Sequence, residues 1–348
     1  MLSLPGLAAY SAAARQLTCP VCCRADDMSL CTYGLLACST FPAQPCELKL
    51  LHAAIKGGKV TKAGGSCVFS SEWDKYSQKT YAANFNELPH GDITQIPEHE
   101  IPKFDVLLAG FPCQPFSTIG KRQGFDHPTQ GTLFYDVERI MRHHRNKAFL
   151  LENVAGLKSH DGGRTLEVIE NTLTNLGYKF DYKVLDAADF GVPQHRDRIY
   201  IVGYRSRKGG RVELDWPEGN KKSVAIGKYV QTGVVGHSIS KHLQDVYIYK
   251  KDDGRPQIID PSSDFPVKTL VASYHKIQRL TGTFVRDGET GLRLLTSDEC
   301  KAIMGFPKKF KIPVSRTQMY RQMGNSVAVP VITVLAKWIA EDVMSNAR

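Results

Sequence analysis

The segment Phe111-Pro112-Cys113-Gln114-Pro115-Phe116-Ser117 sets a cysteine between two prolines, directly after the apolar run 106–109. A lone cysteine is more often an inert core residue. Proline rings stiffen the chain on both sides of this one, however, and rigid presentation of a thiolate is what nucleophilic attack requires. Glu152 follows the apolar run 148–151 in Leu150-Leu151-Glu152-Asn153-Val154. A carboxyl group in apolar surroundings can supply a proton or hydrogen bond to a ring under attack, although the position also suits a carboxylate at a helix amino terminus. Gln194-His195-Arg196-Asp197-Arg198 completes the set. Strand periodicity points Arg196 and Arg198 to one face, where they donate to a carbonyl oxygen, clamp a phosphate, or join a surface ion-pair ladder. His195 faces away and receives no role.

From Ala63 onward, short apolar runs alternate with amphipathic stretches, the pattern of an α/β domain on a largely parallel sheet. Strands are predicted at 67–70, 106–109, 148–151 and 199–203, and helices at 75–85, 132–144 and 164–176, the last closed by Gly177. Glu72 with Trp73, the Cys113 loop, and Glu152 with Asn153 each follow a strand's carboxyl end, the edge where open α/β sheets bind ligands. Gln194, Arg196 and Arg198 precede their strand instead, which predicts one antiparallel strand beginning at that same edge. Residues 205–290 are richer in Gly and Pro, with 15 basic against 10 acidic residues, and read as a smaller, strand-rich domain. Tyr247, Tyr249, Tyr274, His275, Lys276 and Arg279 there offer groups suited to a groove surface. A compact pattern resumes near Leu292 and ends in an apolar helix at 329–344. The division is therefore 1–62, 63–204, 205–290 and 291–348.

A chain of 348 residues with 42% hydrophobic content can bury one large core and a smaller one. Its formal charge of +10 favours polyanionic partners. No apolar run approaches the roughly 20 residues needed to span a bilayer, so the expectation is a cytoplasmic protein with no membrane contact. Six of the nine cysteines fall before residue 47, and the rest are Cys67, Cys113 and Cys300, a reduced type of core. Cys19 and Cys22 form a C-x-x-C beside Cys23, but no second pair follows at zinc-site spacing, so no metal is expected.

In their order along the chain, Phe-Pro-Cys-Gln-Pro-Phe-Ser, Glu-Asn-Val, Gln-x-Arg-x-Arg and Gly324-Asn325-Ser326-Val327 resemble the ordered motifs of the DNA cytosine-5 methyltransferases of prokaryotic restriction-modification type. Ser71-Glu72-Trp73, Gly91-Asp92-Ile93, Gly131-Thr132-Leu133-Phe134, and Arg293-Leu294-Leu295-Thr296 leading through Glu299 to Gly305-Phe306-Pro307 fill the gaps, so the resemblance spans about 63–345. It implies a Rossmann-like S-adenosylmethionine-dependent methyltransferase fold with a target-recognition domain at 205–290. It further implies that Cys113 attacks carbon 6 of a cytosine flipped from the duplex, that Glu152 engages ring nitrogen 3, and that Arg198 contacts the base with Arg196 close by. Glu72 would bind the ribose hydroxyls of S-adenosylmethionine, Trp73 would cover the adenine, Asp92 and Ile93 would meet its edge, and Asn325, Ser326 and Val327 would complete that pocket. Gln114, Ser117, Gln194, Tyr274, Lys276 and Arg279 are the expected DNA contacts. The expected partners are duplex DNA and a separately encoded cognate endonuclease, with the enzyme a monomer.

One departure stands out. Such sequences open with an apolar strand running into Asp-Leu-Phe-x-Gly-x-Gly-Gly, whereas residues 50–58 here hold only the final pair, Gly57-Gly58, beside Lys56. The cysteine-rich residues 1–62 are accordingly expected to derive from a shifted frame or altered start, which reading the other frames upstream of codon 63 would test. As written, the chain is expected to bind S-adenosylmethionine poorly and to transfer methyl groups weakly. The competing functions are an inactive DNA-binding remnant and a tRNA cytosine-5 methyltransferase.

Overall fold

A computed structural model describes residues 49–54, 66–111, 133–220, 222 and 224–347. Cys113, Gln114, Ser117, the Gly57-Gly58 pair and the amino-terminal C-x-x-C lie outside the described residues. The main sheet has seven strands: β1 (Lys49–Ala54), β2 (Ser66–Ser71), β3 (Val106–Gly110), β4 (Ala148–Val154), β5 (Tyr178–Asp186), β6 (Asp197–Arg205) and β7 (Gly210–Arg211), in the order β2-β1-β3-β4-β6-β5-β7. β2, β3, β4, β5 and β7 share one direction, while β6 runs against β4 and β5 as the Gln-x-Arg-x-Arg position predicted. β1 also runs antiparallel, to both β2 and β3, and was not anticipated by a reading that began at Ala63. Its first residue, Lys49, pairs with Gly110, and its last, Ala54, pairs with Ser66.

Strands buried on both faces read as continuous apolar runs, and strand periodicity divides their residues between two cores. Leu107, Ala109, Phe149, Leu151, Ile199 and Ile201 pack under α2 (Phe134–His144) and α3 (Arg164–Asn175). Val106, Leu108, Ala148, Leu150, Tyr200 and Val202 pack on α7 (Val329–Trp338) through Val331, Ile332 and Leu335. The helices fall where the periodicity placed them. Asp74 caps α1 (Lys75–Phe85) by accepting from the Ser77 amide at 2.8 Å, and Gly177 takes the left-handed conformation, φ 80°, that lets the chain turn out of α3 into β5.

A third core joins the smaller region to α1, α5 (Ser297–Met304) and α6 (Arg316–Asn325) through Tyr81, Ile226, Ile259, Phe284, Cys300 and Met323. Strands are sparse here, contrary to the sequence expectation. Beyond β7 the described residues of this region hold β8 (Gln257–Ile259) and β9 (Thr283–Val285), paired in parallel, and the one-turn α4 (Lys241–Leu243). Its apolar runs are too short and too often broken by Gly and Pro for longer ladders. Order comes instead from buried polar pairs. The Arg293 side chain is fully buried and donates to Glu299 at 2.9 Å and to Asp287 at 2.8 Å, while Glu299 closes a capping box with Thr296 at the start of α5.

Candidate active site

Register brings the expected catalytic groups to one edge. β3 and β4 pair Gly110 with Glu152, and β4 and β6 pair Glu152 with Tyr200 and Val154 with Arg198. Arg198 Nε lies 3.0 Å from Glu152 Oε1, both side chains sheltered at 15% and 12% exposure. Gly110 adjoins the other carboxylate oxygen: a Cβ there would lie in contact with Oε2, at 3.4 Å. Asn153 Nδ2 donates to the Phe111 carbonyl at 2.8 Å, pinning the chain where it leaves β3. Asn153 was quoted in the sequence only as part of a motif, and its tethering role becomes visible once β3 and β4 are seen side by side. Tyr200 is buried behind the pair, and burial, reinforced by Glu152, holds its phenol well above the usual range.

The expected cofactor residues lie along the same edge. Glu72, at the end of β2, is buried, accepts from the Asp74 amide at 2.9 Å, and donates its own amide to the His90 carbonyl at 2.8 Å. Ser71 Oγ donates to the Gly91 carbonyl at 2.6 Å, so Glu72 and Asp92 are held close. Ile93 and Val327 are core residues, Ser326 is fully buried, and Asn325 ends α6, which is tied to α1 by a buried 2.9 Å bond from Thr80 to Gln322. Trp73 Nε1 is buried without a hydrogen-bond partner. A carboxylate and an indole at one edge suit the hydroxyls and ring of an adenosyl group. β1 ends at the opposite edge, and among the described residues no glycine loop follows a strand into this one. No group of His, Cys, Asp and Glu among the described residues could hold a metal ion.

Several expected contacts are placed elsewhere. Gln194 is fully buried, donating to the Ile303 carbonyl at 3.2 Å and accepting from the Leu270 amide at 2.6 Å, which leaves nothing for DNA. Tyr274 is a core residue whose hydroxyl donates to the Thr283 carbonyl at 2.6 Å and accepts from the Leu295 amide at 3.0 Å. Arg279 is buried against Asp253 and the Ile248 and Lys251 carbonyls, bracing that loop and not facing a groove. Arg196 is also buried, and its guanidinium donates to the carbonyls of Leu270, Gly324 and Ser326, so it is turned into the protein and away from a base. Lys276 is exposed. His195, unassigned from sequence, lies 2.7 Å from Asp186 at the end of β5. Burial pulls the Asp186 carboxyl upward, but His195 and the Arg196 and Ala188 amides outweigh it and hold it below the usual range.

Comparison with known proteins agrees with this arrangement. A family described as C-5 cytosine-specific DNA methylase matches residues 51–341. The chain is 56% identical over 277 residues to the type II methyltransferase M.MspI of Moraxella sp, covering 80% of this chain and 66% of that one. It is 58% identical over 271 residues to the type II methyltransferase M.BsuFI of Bacillus subtilis, covering 78% and 66%. The chain thus spans 66% of the length of each of these two relatives. A DNMT2 crystal structure from Spodoptera frugiperda shares the fold, with a TM-score of 0.64 at 22% identity over 79% of this chain and 92% of that one.

Proposed function

Because this chain belongs to the C-5 cytosine-specific DNA methylase family, we propose that it methylates carbon 5 of a cytosine within a specific duplex DNA sequence. The observation that carries this reading is the sheltered Glu152–Arg198 pair at the edge where β3 delivers the chain toward Cys113. Only Pro112 separates Cys113 from Phe111, and two extended residue steps limit the distance between their Cα atoms to ~7 Å. The Cys113 thiolate adds to carbon 6 of the ring, and the displaced electron pair makes carbon 5 nucleophilic. Glu152 supplies the proton or hydrogen bond at nitrogen 3, and Arg198 donates to the carbonyl oxygen of the base. S-adenosylmethionine supplies an electrophilic methyl group when bound, with Glu72, Trp73, Asp92 and Asn325 against its adenosyl half. Loss of the carbon 5 proton expels the thiolate and frees the enzyme. The target is reached by rotation out of the stack.

In this reading residues 63–204 and 291–348 form the catalytic domain and 205–290 the target-recognition domain. Gln114, Ser117 and Lys276 remain its DNA contacts. The relatives' names, type II methyltransferases, support a restriction-modification role; in this reading the enzyme is a monomer in the cytoplasm that protects DNA from a separately encoded endonuclease. No helix among the described residues is long and apolar enough to cross a membrane. Expression in a methylation-free host, with base-resolution mapping of 5-methylcytosine in DNA and tRNA, tests the assignment. Methylation confined to one short duplex sequence is expected. Modification of tRNA alone, or of nothing, would overturn it.

A further inference from the structure

The alternation in Gln194-His195-Arg196-Asp197-Arg198 puts Gln194, Arg196 and Arg198 on one side of the chain. The structure divides their work. Arg198 turns to Glu152, whereas the residues before it are sewn to the smaller domain. Gln194 bridges Val267 in parallel, with the His195 amide donating to the Val267 carbonyl and the Val267 amide to the Pro193 carbonyl, both at 2.8 Å. Thr269 Oγ1 donates to the His195 carbonyl at 2.7 Å.

Arg196 then fixes three segments at one point. Its guanidinium donates to the Leu270 carbonyl at 3.2 Å, to Gly324 at 3.0 Å and to Ser326 at 2.6 Å. Those carbonyls come from the smaller domain, from the last turn of α6 and from the link between α6 and α7, and the Arg196 amide is anchored to Asp186 at 2.8 Å. The junction is tight: a Cβ at Gly324 would lie 2.2 Å from the Ala272 amide nitrogen. Among the described residues no carboxylate forms a salt bridge with the Arg196 guanidinium, and Nε is buried with no partner. A buried cation held only by carbonyl dipoles is costly, and the planar fork is the feature a lysine lacks.

We propose, building on the methyltransferase reading, that Arg196 is a positioning residue: a strut that locks the recognition segment 267–270 and the 324–326 turn to the start of β6. It thereby sets Arg198 and Glu152 in register with the base that the smaller domain delivers. Reading of the DNA and alignment of the catalytic pair thus share one mechanical joint two residues from the site.

Arg196→Lys and Thr269→Val test this by hydrogen exchange and by steady-state kinetics on the mapped duplex. Arg196→Lys is expected to speed exchange ~10-fold or more at both 270–272 and 324–327, with β3 and β4 unaffected. Its kcat should fall ~10- to 100-fold while KM for DNA stays within ~3-fold, the signature of misplacement and not of lost binding. Thr269→Val should show a smaller change confined to 267–270. Unchanged exchange in either segment of Arg196→Lys overturns the strut, as does a raised KM with unchanged kcat, which would make Arg196 a direct DNA contact. If the wild-type chain transfers no methyl group, the functional reading fails, and the exchange data still decide the strut.

Discussion

Glu152→Gln is expected to lower kcat for methyl transfer by about 10²- to 10⁴-fold, the range spanned by loss of one positioned acid. Glutamine keeps the size of the side chain and an oxygen facing Arg198 Nε, now 3.0 Å from Glu152 Oε1. It retains no carboxyl to place a proton on nitrogen 3. The developing negative charge on the ring then meets only Arg198, and thiolate addition reverses before the methyl group is taken up. Duplex affinity should change by less than ~3-fold, because the lost interaction belongs to the transition state. Single-turnover transfer compared with equilibrium binding separates the two. A variant that loses affinity and rate together would assign Glu152 to ground-state binding.

The largest effect on stability is expected at Arg293→Met. The Arg293 and Glu299 side chains are both fully buried, and Arg293 also donates to Asp287 at 2.8 Å and to the Leu294 carbonyl at 3.0 Å. Removing the cation strands a buried carboxylate and costs about 3–5 kcal/mol, a large part of a typical folding free energy. Glu299→Gln in the same chain should recover part of it by removing the orphaned charge. Arg164→Met, which breaks an exposed pair with Asp161, should leave the urea midpoint where it is. Burial pulls the Asp287 carboxyl upward, but Arg293 and the Gly288, Val234 and Gly233 amides outweigh it and hold it far below the usual range. A depressed carboxylate contributes stability that is present above its unfolded pKa and is lost as pH falls through the folded value. The Asp287 contribution should therefore persist at neutral pH and fade only under strong acid.

The edge that gathers the site was legible because it depends on local pattern. Apolar runs placed β2, β3, β4 and β6, and Glu72 just past β2, Glu152 near the end of β4 and Arg198 at the start of β6 lie at the edge that reading gave them. β5 was missed, since in Tyr178–Asp186 apolar residues alternate with Lys and Asp and burial is incomplete. Gln194, Arg196, Tyr274 and Arg279 have side chains typical of a wet surface, which is why Gln194, Tyr274 and Arg279 read as DNA contacts and Arg196 as a catalytic group. Their partners are distant in sequence: Arg196 bonds to Leu270, Gly324 and Ser326, and Gln194 to Ile303. No local pattern announces a carbonyl that arrives from another domain. β1 was equally hidden, because it lies before Ala63, where the alternation of apolar runs and amphipathic stretches begins.

Covalent trapping tests the central claim most directly. Fluorine at carbon 5 of the target cytosine cannot leave as the proton does, so the ring stays joined to its nucleophile after methyl transfer. With such a duplex and S-adenosylmethionine, the wild-type chain should give a denaturant-resistant protein–DNA adduct whose cross-linked peptide contains Cys113, and Cys113→Ser should give none. No adduct from the wild-type chain, or one mapped to Cys67 or Cys300, would contradict it.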